Sequence, residues 1–287
     1  MSDRPTLETR RPEASSPPQA KVTRFFDEAA GFWTQVYSAP GVFADTHRRR
    51  LELALAWIDS LGLQPGAHIL VVGAGAGFEV IGLANRGYAL TAIEPANTMV
   101  GIARGRADAA GCTGVRWVNG DAHALGFARE SFDVVIALGV IPWLHTPALA
   151  MAEMGRVLRP GGWWLGSADN AVRLDRLVDP ARNPVVAPLS RRIRKAVMRP
   201  SASARPKARM HTGRAVHRLL DDAGIDPVAE VTFGFGPFTL IGRSMLPEAV
   251  GRTINAKLTE LALRGVPLAR ATGSQRLALG QKRLVTP

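Results

Sequence analysis

The chain has 287 residues, a single cysteine and a formal net charge of +12. That length is ample for a packed core, and a lone Cys112 excludes an intrachain disulfide. No Cys/His cluster has zinc-ligand spacing, no apolar run approaches the roughly 18 residues of a membrane span, and no apolar leader opens the chain, so a cytoplasmic protein without a resident metal is expected.

Residues 1–20 hold Pro5, Pro12, Pro17 and Pro18 among Ser, Glu and Arg without periodicity, which predicts a disordered tail. From Lys21 onward Phe25, Phe26, Ala29, Phe32, Trp33, Val36 and Tyr37 recur at helical spacing. This aromatic-faced helical segment, broken near Pro40-Gly41, either packs as core or lies over a ligand cleft. A second helix carries Leu51, Leu55, Ile58 and Leu61 on its apolar stripe, with Arg48, Arg49 and Arg50 near its start, and ends at Gly62.

The stretch His68 to Phe78, HILVVGAGAGF, is the strongest local signal. The apolar run Ile69 to Val72 predicts a strand buried on both faces. Gly73, Gly75 and Gly77 predict a sharp turn that lets backbone approach a ligand. Phe78 to Ala84 then predicts a helix, whose N-terminus would offer free N–H groups to an anionic group. The dinucleotide fingerprint needs glycine at the first, third and sixth positions, and Phe78 occupies the sixth. The pattern here is G-x-G-x-G.

Tyr88 to Glu94 predicts a second strand ending in an acid, 17 residues past Gly77. A carboxylate so placed can accept both hydrogen bonds of a ribose diol. Pro95 and Asn97 open a helix that closes near Gly111; Val115 to Val118 is a short third strand, followed by Gly120, Asp121, Ala122 and His123. Ser131 to Leu138 is a fourth strand leading to Gly139, Trp143 and His145. Thr146 caps and Pro147 starts the next helix, and Trp163 to Ser167 forms a fifth strand.

Beyond Asn170 the rhythm stops in a proline-rich stretch. Residues 191–218 then carry ten arginines and lysines and no acid. A helix capped by Thr212, strands over Val228 to Leu240 and Ser274 to Lys282, and a helix between Pro247 and Gly265 complete the chain. The alternation predicts a doubly wound, mostly parallel seven-stranded α/β sheet with helices on both faces, an N-terminal helical extension and an insertion after the fifth strand.

The glycine turn, Glu94, the GDAHAL run at Asp121, and FDVVIALGVIPWLH followed by MGRVLRPGGWW stand in the order and spacing of a known family. Over about residues 67–168 the chain resembles class I, Rossmann-like S-adenosylmethionine-dependent methyltransferases. The resemblance implies S-adenosyl-L-methionine as cofactor. It implies that Gly73, Ala74, Gly75 and Gly77 hold the methionine part, Glu94 and Pro95 the ribose, Asp121 and Ala122 the adenine, with Leu138 and Gly139 beside them. One departure stands out. Many members carry an acid two residues before the first glycine, and this chain has Val71; Glu79 is a candidate substitute.

The expected organisation is a tail over 1–20 and one domain over 21–287, with N-terminal helices (21–62), a cofactor-binding core (63–170), a variable basic region (171–226) and C-terminal strands (227–287). The sulfonium methyl is already activated, so alignment with an acceptor is the main demand, and a base is needed only if the acceptor must lose a proton. His145 is the best-placed candidate base; His47 and His211 rank below it. The expected acceptor is a small apolar or anionic molecule of quinone, lipid, polyketide or tetrapyrrole type, with GFGPF at Gly234 to Phe238 and the N-terminal aromatics as pocket walls. The basic segment reads as a solvated loop, a contact for an anionic substrate or membrane surface, or a phosphate-binding stretch for RNA. It has no aromatics for base stacking, and no RNA-binding module is visible, which argues against nucleic acid. The rival expectations are an RNA methyltransferase and a cofactor-binding protein without turnover.

Overall fold

A computed structural model describes residues 17–179, 183, 206–240 and 243–284. The basic stretch 191–205 lies outside the described residues; of the charged cluster, Lys207, Arg209, Arg214 and Arg218 lie within them.

The first helix, α1 (Pro17–Glu28), starts inside the expected tail. Its two leading prolines sit in the first turn, where a missing N–H costs nothing. Next come α2 (Ala30–Gln35) and α3 (Val42–Ser60). The alternating core follows as β1 (His68–Val72), α4 (Phe78–Ala84), β2 (Ala89–Glu94), α5 (Asn97–Ala109), β3 (Arg116–Asn119), β4 (Phe132–Ala137), α6 (Pro147–Val157) and β5 (Leu158–Asn170). The chain continues through α7 (Leu174–Val178), β6 (Met210–His211), α8 (Gly213–Asp222), β7 (Ile225–Phe233), β8 (Thr239–Leu240), β9 (Arg243–Ser244), α9 (Glu248–Leu263), α10 (Pro267–Thr272) and β10 (Gln275–Lys282).

The main sheet runs β3-β2-β1-β4-β5-β10-β7. Its pairs are parallel from β3 through β5, and β10 is antiparallel to both of its neighbours. The expected seven strands form this order. Two features were not expected: the two-residue β6 adds an eighth strand beside β5, and β8 and β9 make a separate ribbon. The strand expected over Val228 to Leu240 instead runs Ile225–Phe233, and Gly234, with φ +71°, turns the chain out of it.

Period-two alternation explains the unbroken apolar run of β1. Ile69 and Val71 face one helix layer, packing with Ala54 and Ile58 of α3 and Val80 and Leu83 of α4. Leu70 and Val72 face the other, with Met151 and Met154 of α6 and Val216 and Leu220 of α8. Strand order reverses at β1, which has β2 on one side and β4 on the other. In open α/β sheets such a switch point leaves a crevice at the carboxyl ends of the strands. The glycine turn and Glu94 both stand there.

Candidate active site

At the end of β1 the backbone bends through three glycines with φ of +66°, +51° and +81° at 73, 75 and 77. Their surroundings differ. A Cβ at Gly77 would meet Ala103 of α5 at 3.0 Å, so this glycine lets α4 pack closely on α5. At Gly75 the nearest atom would be the Gly73 carbonyl at 4.0 Å, so its face is open. Glu94 spans the turn from the next strand: Oε2 accepts from the Gly75 N–H at 2.9 Å and Oε1 from the Ala96 N–H at 3.0 Å. Burial pushes the Glu94 carboxyl up to about 7, against the pull of those two N–H groups.

The Asp121 side chain is tied to His123. Oδ1 accepts from the His123 backbone N–H at 3.0 Å and from ring Nδ1 at 2.6 Å. His123 Nε2 in turn accepts from the Thr146 N–H at 3.3 Å, which assigns the ring proton to Nδ1. Burial opposes the Asp121 charge, but the bonds from His123 hold its pKa below the ordinary carboxylate value. Thr146 is the N-cap of α6 by position only, since its hydroxyl makes no cap bond.

Gly73, Ala74, Gly75, Glu94, Pro95, Asp121, Ala122, Leu138 and Gly139 all line one cavity of about 420 Å³. Gly77 supports the turn from behind and is not in the lining. His145 does not line the cavity either. Its ring lies against His123, with centroids 4.0 Å apart, and its carbonyl accepts from Arg209 Nη1. Trp143 does line it, stacked on Phe25 at 5.5 Å and edge-on to Phe26 at 5.1 Å. Phe26, Phe32, Trp33 and Phe43 continue this aromatic wall. The helical segment at the N-terminus is therefore both packed and a cover for the cleft, the two readings its aromatic face allowed. GFGPF is not part of the wall: Phe235 is buried with Ala262 and Ala269 in a separate cluster.

Residues 70–165 match the protein-family model described as "Methyltransferase domain". These residues form a methyltransferase domain. A ubiquinone biosynthesis O-methyltransferase of Paracidovorax citrulli is 30% identical over 146 residues, half of this chain and 60% of that protein. A demethylmenaquinone methyltransferase of Renibacterium salmoninarum is 33% identical over 105 residues, 37% of this chain and 42% of that protein. The chain thus spans less than two thirds of either relative. The structure of magnesium protoporphyrin IX methyltransferase from Synechocystis PCC 6803, with bound SAH, aligns over 92% of this chain and 99% of that one. Its TM-score is 0.61 at 16% identity, a likeness of fold.

The matched stretch 70–165 contains the glycine turn and Glu94, but the cavity also draws on residues outside it. Tyr37, His47, Arg50, Asp169 and Gln275 line the cavity together with Glu79. Sequence reasoning ranked His47 low and placed Arg50 only as a charge near a helix start. A signal was present: His47, Arg50, Ala54 and Ile58 share one buried face of α3, at spacings of three and four. His47 Nδ1 lies 2.9 Å from the Phe43 carbonyl, which can only accept, so Nδ1 carries the proton and Nε2 is the acceptor.

The acid missing from position 71 is explained by packing. Val71 is fully buried in the apolar cluster under α3 and α4. Val71→Asp is expected to destabilise the protein by about 3 kcal/mol or more, because it buries a carboxyl among aliphatic groups. Urea unfolding would show the loss as a lower midpoint, and an unchanged midpoint would mean that the site is polar enough for an acid.

Proposed function

We propose that the chain is an S-adenosylmethionine-dependent methyltransferase acting on a small apolar acceptor of quinone or related aromatic type. The observation that carries this reading is one continuous cavity. A glycine turn, Glu94 and Asp121 stand at one end of it, and Phe26, Trp33, Phe43 and Trp143 at the other. The cofactor fits the first end on local grounds. Gly75 leaves the backbone uncovered, Glu94 keeps lone pairs for a ribose diol beyond its two backbone bonds, and Asp121 commits only Oδ1 to His123. A cavity of this size falls within the range of small-molecule sites.

Bound there, the sulfonium supplies a methyl group already activated for transfer. The chain's own contribution is orientation and exclusion of water. The aromatic wall presents flat apolar surface to a planar acceptor. His47 lines the cavity, and with Nδ1 on the Phe43 carbonyl its Nε2 is the ring atom that can accept from a hydroxyl. Burial first, then the neighbouring Arg50 charge, drive its pKa down to about 3, so the ring stays neutral and orients an acceptor rather than storing its proton. His145, whose ring lies tilted against His123 and outside the lining, is assigned no step. Relatives named as a ubiquinone biosynthesis O-methyltransferase and a demethylmenaquinone methyltransferase support the quinone class.

Calorimetric titration with S-adenosylhomocysteine and, separately, NAD tests the cofactor. Micromolar binding of the first and none of the second is expected. Transfer of labelled methyl groups to a panel of hydroquinones, catechols and carboxylic acids then tests the acceptor, with the hydroxylated rings labelled. Binding of NAD alone, or no labelling of any hydroxylated ring, would overturn the reading.

A further inference from the structure

A hydroxylated ring must lose a proton when its oxygen takes a methyl group, and neither histidine discussed above can store one. Four carboxyls line the cavity: Glu79, Glu94, Asp121 and Asp169. Glu94 is committed to the Gly75 and Ala96 N–H groups, and Asp121 to His123. Glu79 stands in the first turn of α4, directly after the glycine turn. Asp169, at the end of β5, is held on one side only. Its Oδ1 accepts from Gln275 Nε2 at 3.3 Å, and its Oδ2 has no hydrogen-bond partner among the described residues.

The sheet order places this acid. Along β2-β1-β4-β5 the cavity meets Glu94, the glycine turn, Gly139 and Asp169 in turn. Neighbouring strands stand about 4.8 Å apart, so Asp169 lies about 10 Å along the sheet from the glycine turn and about 15 Å from the strand of Glu94. It is on the far side of β4 from the ribose acid, where an acceptor and not the nucleoside stands. The short β6 closes that side: Met210 is the register partner of Asp169, and Ala208, two residues earlier, lines the cavity. Burial first pushes the Asp169 carboxyl above its ordinary pKa, against the Arg173 and Arg50 charges, and Asp175 adds to the rise. A direct ion pair with Arg50 would undo that basicity. Gln275 prevents it. Its Oε1 accepts from Arg50 Nη1 at 3.4 Å while its Nε2 holds Asp169, so a neutral amide stands between cation and acid.

We propose that Asp169 is the general base of the transfer, taking the proton of the acceptor hydroxyl on Oδ2, and that Gln275 is the positioning residue that holds its Oδ1. This rests on the cofactor and acceptor reading above. The acceptor oxygen forms a bond to the methyl carbon, the pair of the O–H bond stays on that oxygen, and the pair of the breaking C–S bond passes to sulfur, which becomes a neutral thioether. The proton rests on Asp169 until solvent removes it. The labour is then divided: His47, neutral down to about pH 3, orients a hydroxyl, and Asp169 stores the proton.

Two acceptors that differ in acidity test the proposal: catechol, and 4-nitrocatechol, whose nitro group leaves the hydroxyl ionised at pH 8 without help. Methyl transfer to each is measured across pH in the wild type, Asp169→Asn and Gln275→Leu, and S-adenosylhomocysteine binding is measured by calorimetry in all three. Asp169→Asn is expected to lower kcat for catechol by about 100-fold or more, and for 4-nitrocatechol by less than about tenfold, with homocysteine affinity unchanged. The wild-type kcat/KM for catechol should fall on the acid side, and that limb should vanish in Asp169→Asn. Gln275→Leu removes a hydrogen bond to the carboxylate, so it should keep the limb and move it to higher pH. Equal losses for both acceptors with the acid limb in place would overturn the proposal, as a purely structural role. Weaker homocysteine binding in Asp169→Asn would overturn it too, and assign the acid to the cofactor. A wild type that binds the homocysteine but methylates neither ring would overturn the acceptor reading along with it, and one that does not bind the homocysteine would overturn the cofactor reading, so the failures are told apart.

Discussion

Glu94→Ala is expected to weaken S-adenosylhomocysteine binding at least 100-fold. The carboxylate does two jobs. It holds the Gly75 and Ala96 N–H groups, which fixes the open face of the turn, and in the proposed reading it also offers its remaining lone pairs to the ribose. Hydrogen bonds to a charged group contribute about 1.5–3 kcal/mol each, so loss of two from the ligand is about 3–6 kcal/mol, or 100-fold and beyond. The wild-type affinity should also depend on pH. Burial pushes both Glu94 and Glu79 up to about 7. A ribose diol, in the proposed reading, prefers an ionised carboxyl, so below pH 7 binding must expel protons. Affinity should therefore rise from pH 6 to pH 8 and level off above it. Glu94→Gln, neutral at every pH, should bind weakly and with a shallower slope. Titration at pH 6, 7 and 8 in buffers of different ionisation enthalpy would read both affinity and proton release. A flat affinity would mean that the carboxyls are already ionised in the free protein.

The glycine turn and the acid that braces it at the end of β2 were legible as structure because the geometry of the turn lies in the backbone. Gly73, Gly75 and Gly77 take positive φ, and few other residues do so without strain, so the chemistry is written in residue type. The alternation of strands and helices was legible for the same reason, since the two-sided burial of β1 demands an unbroken apolar run. What the sequence did not disclose is long-range. Arg50 and Gln275 are 225 positions apart, and only the antiparallel β10, inserted between β5 and β7, brings them together. His145 was misranked because proximity along the chain to the end of β4 was taken for proximity to the cavity. The 3₁₀ turn Ile141–Trp143 after β4 is followed by His145, whose ring lies against His123, and the histidine that reaches the lining, His47, comes from α3. GFGPF was read as a pocket wall because aromatic and glycine residues suit either role, and packing against α9 and α10 sends Phe235 into a separate core.

His47 makes the second large prediction, on stability rather than binding. Its ring is 4% exposed. Burial first and the Arg50 charge second drive its pKa from 6.5 down to about 3, and the bond to the Phe43 carbonyl only partly opposes them. The unfolded chain takes up a proton at this histidine below pH 6.5, whereas the folded one does not until about pH 3. Stability from His47 is therefore intact above pH 6.5 and falls through that window, by at most about 1.4 kcal/mol per pH unit. Glu79 and Glu94 run the other way. Their folded pKa values of about 7 exceed the unfolded value of 4.5, so between these limits the folded state holds the extra protons and gains stability as pH falls. Below pH 4.5 that gain is complete and the His47 loss continues. Taken alone, these three groups would place the optimum of the ligand-free protein near pH 4.5, and His145 and His211, whose pKa values burial also lowers, lose stability over the same window and move it upward. His47→Leu should match or slightly trail the wild type at pH 8 and exceed it by about 2 kcal/mol at pH 4.5, where two pH units of proton uptake are removed. Urea unfolding of both proteins at pH 8, 6 and 4.5 measures the gap. A gap independent of pH would mean that the histidine titrates alike in both states, and then it could not be the buried neutral acceptor at the cavity. Saturation with S-adenosylhomocysteine supplies an internal check. It holds Glu94 ionised, so it should move the stability maximum toward neutral pH and leave the His47→Leu gap in place.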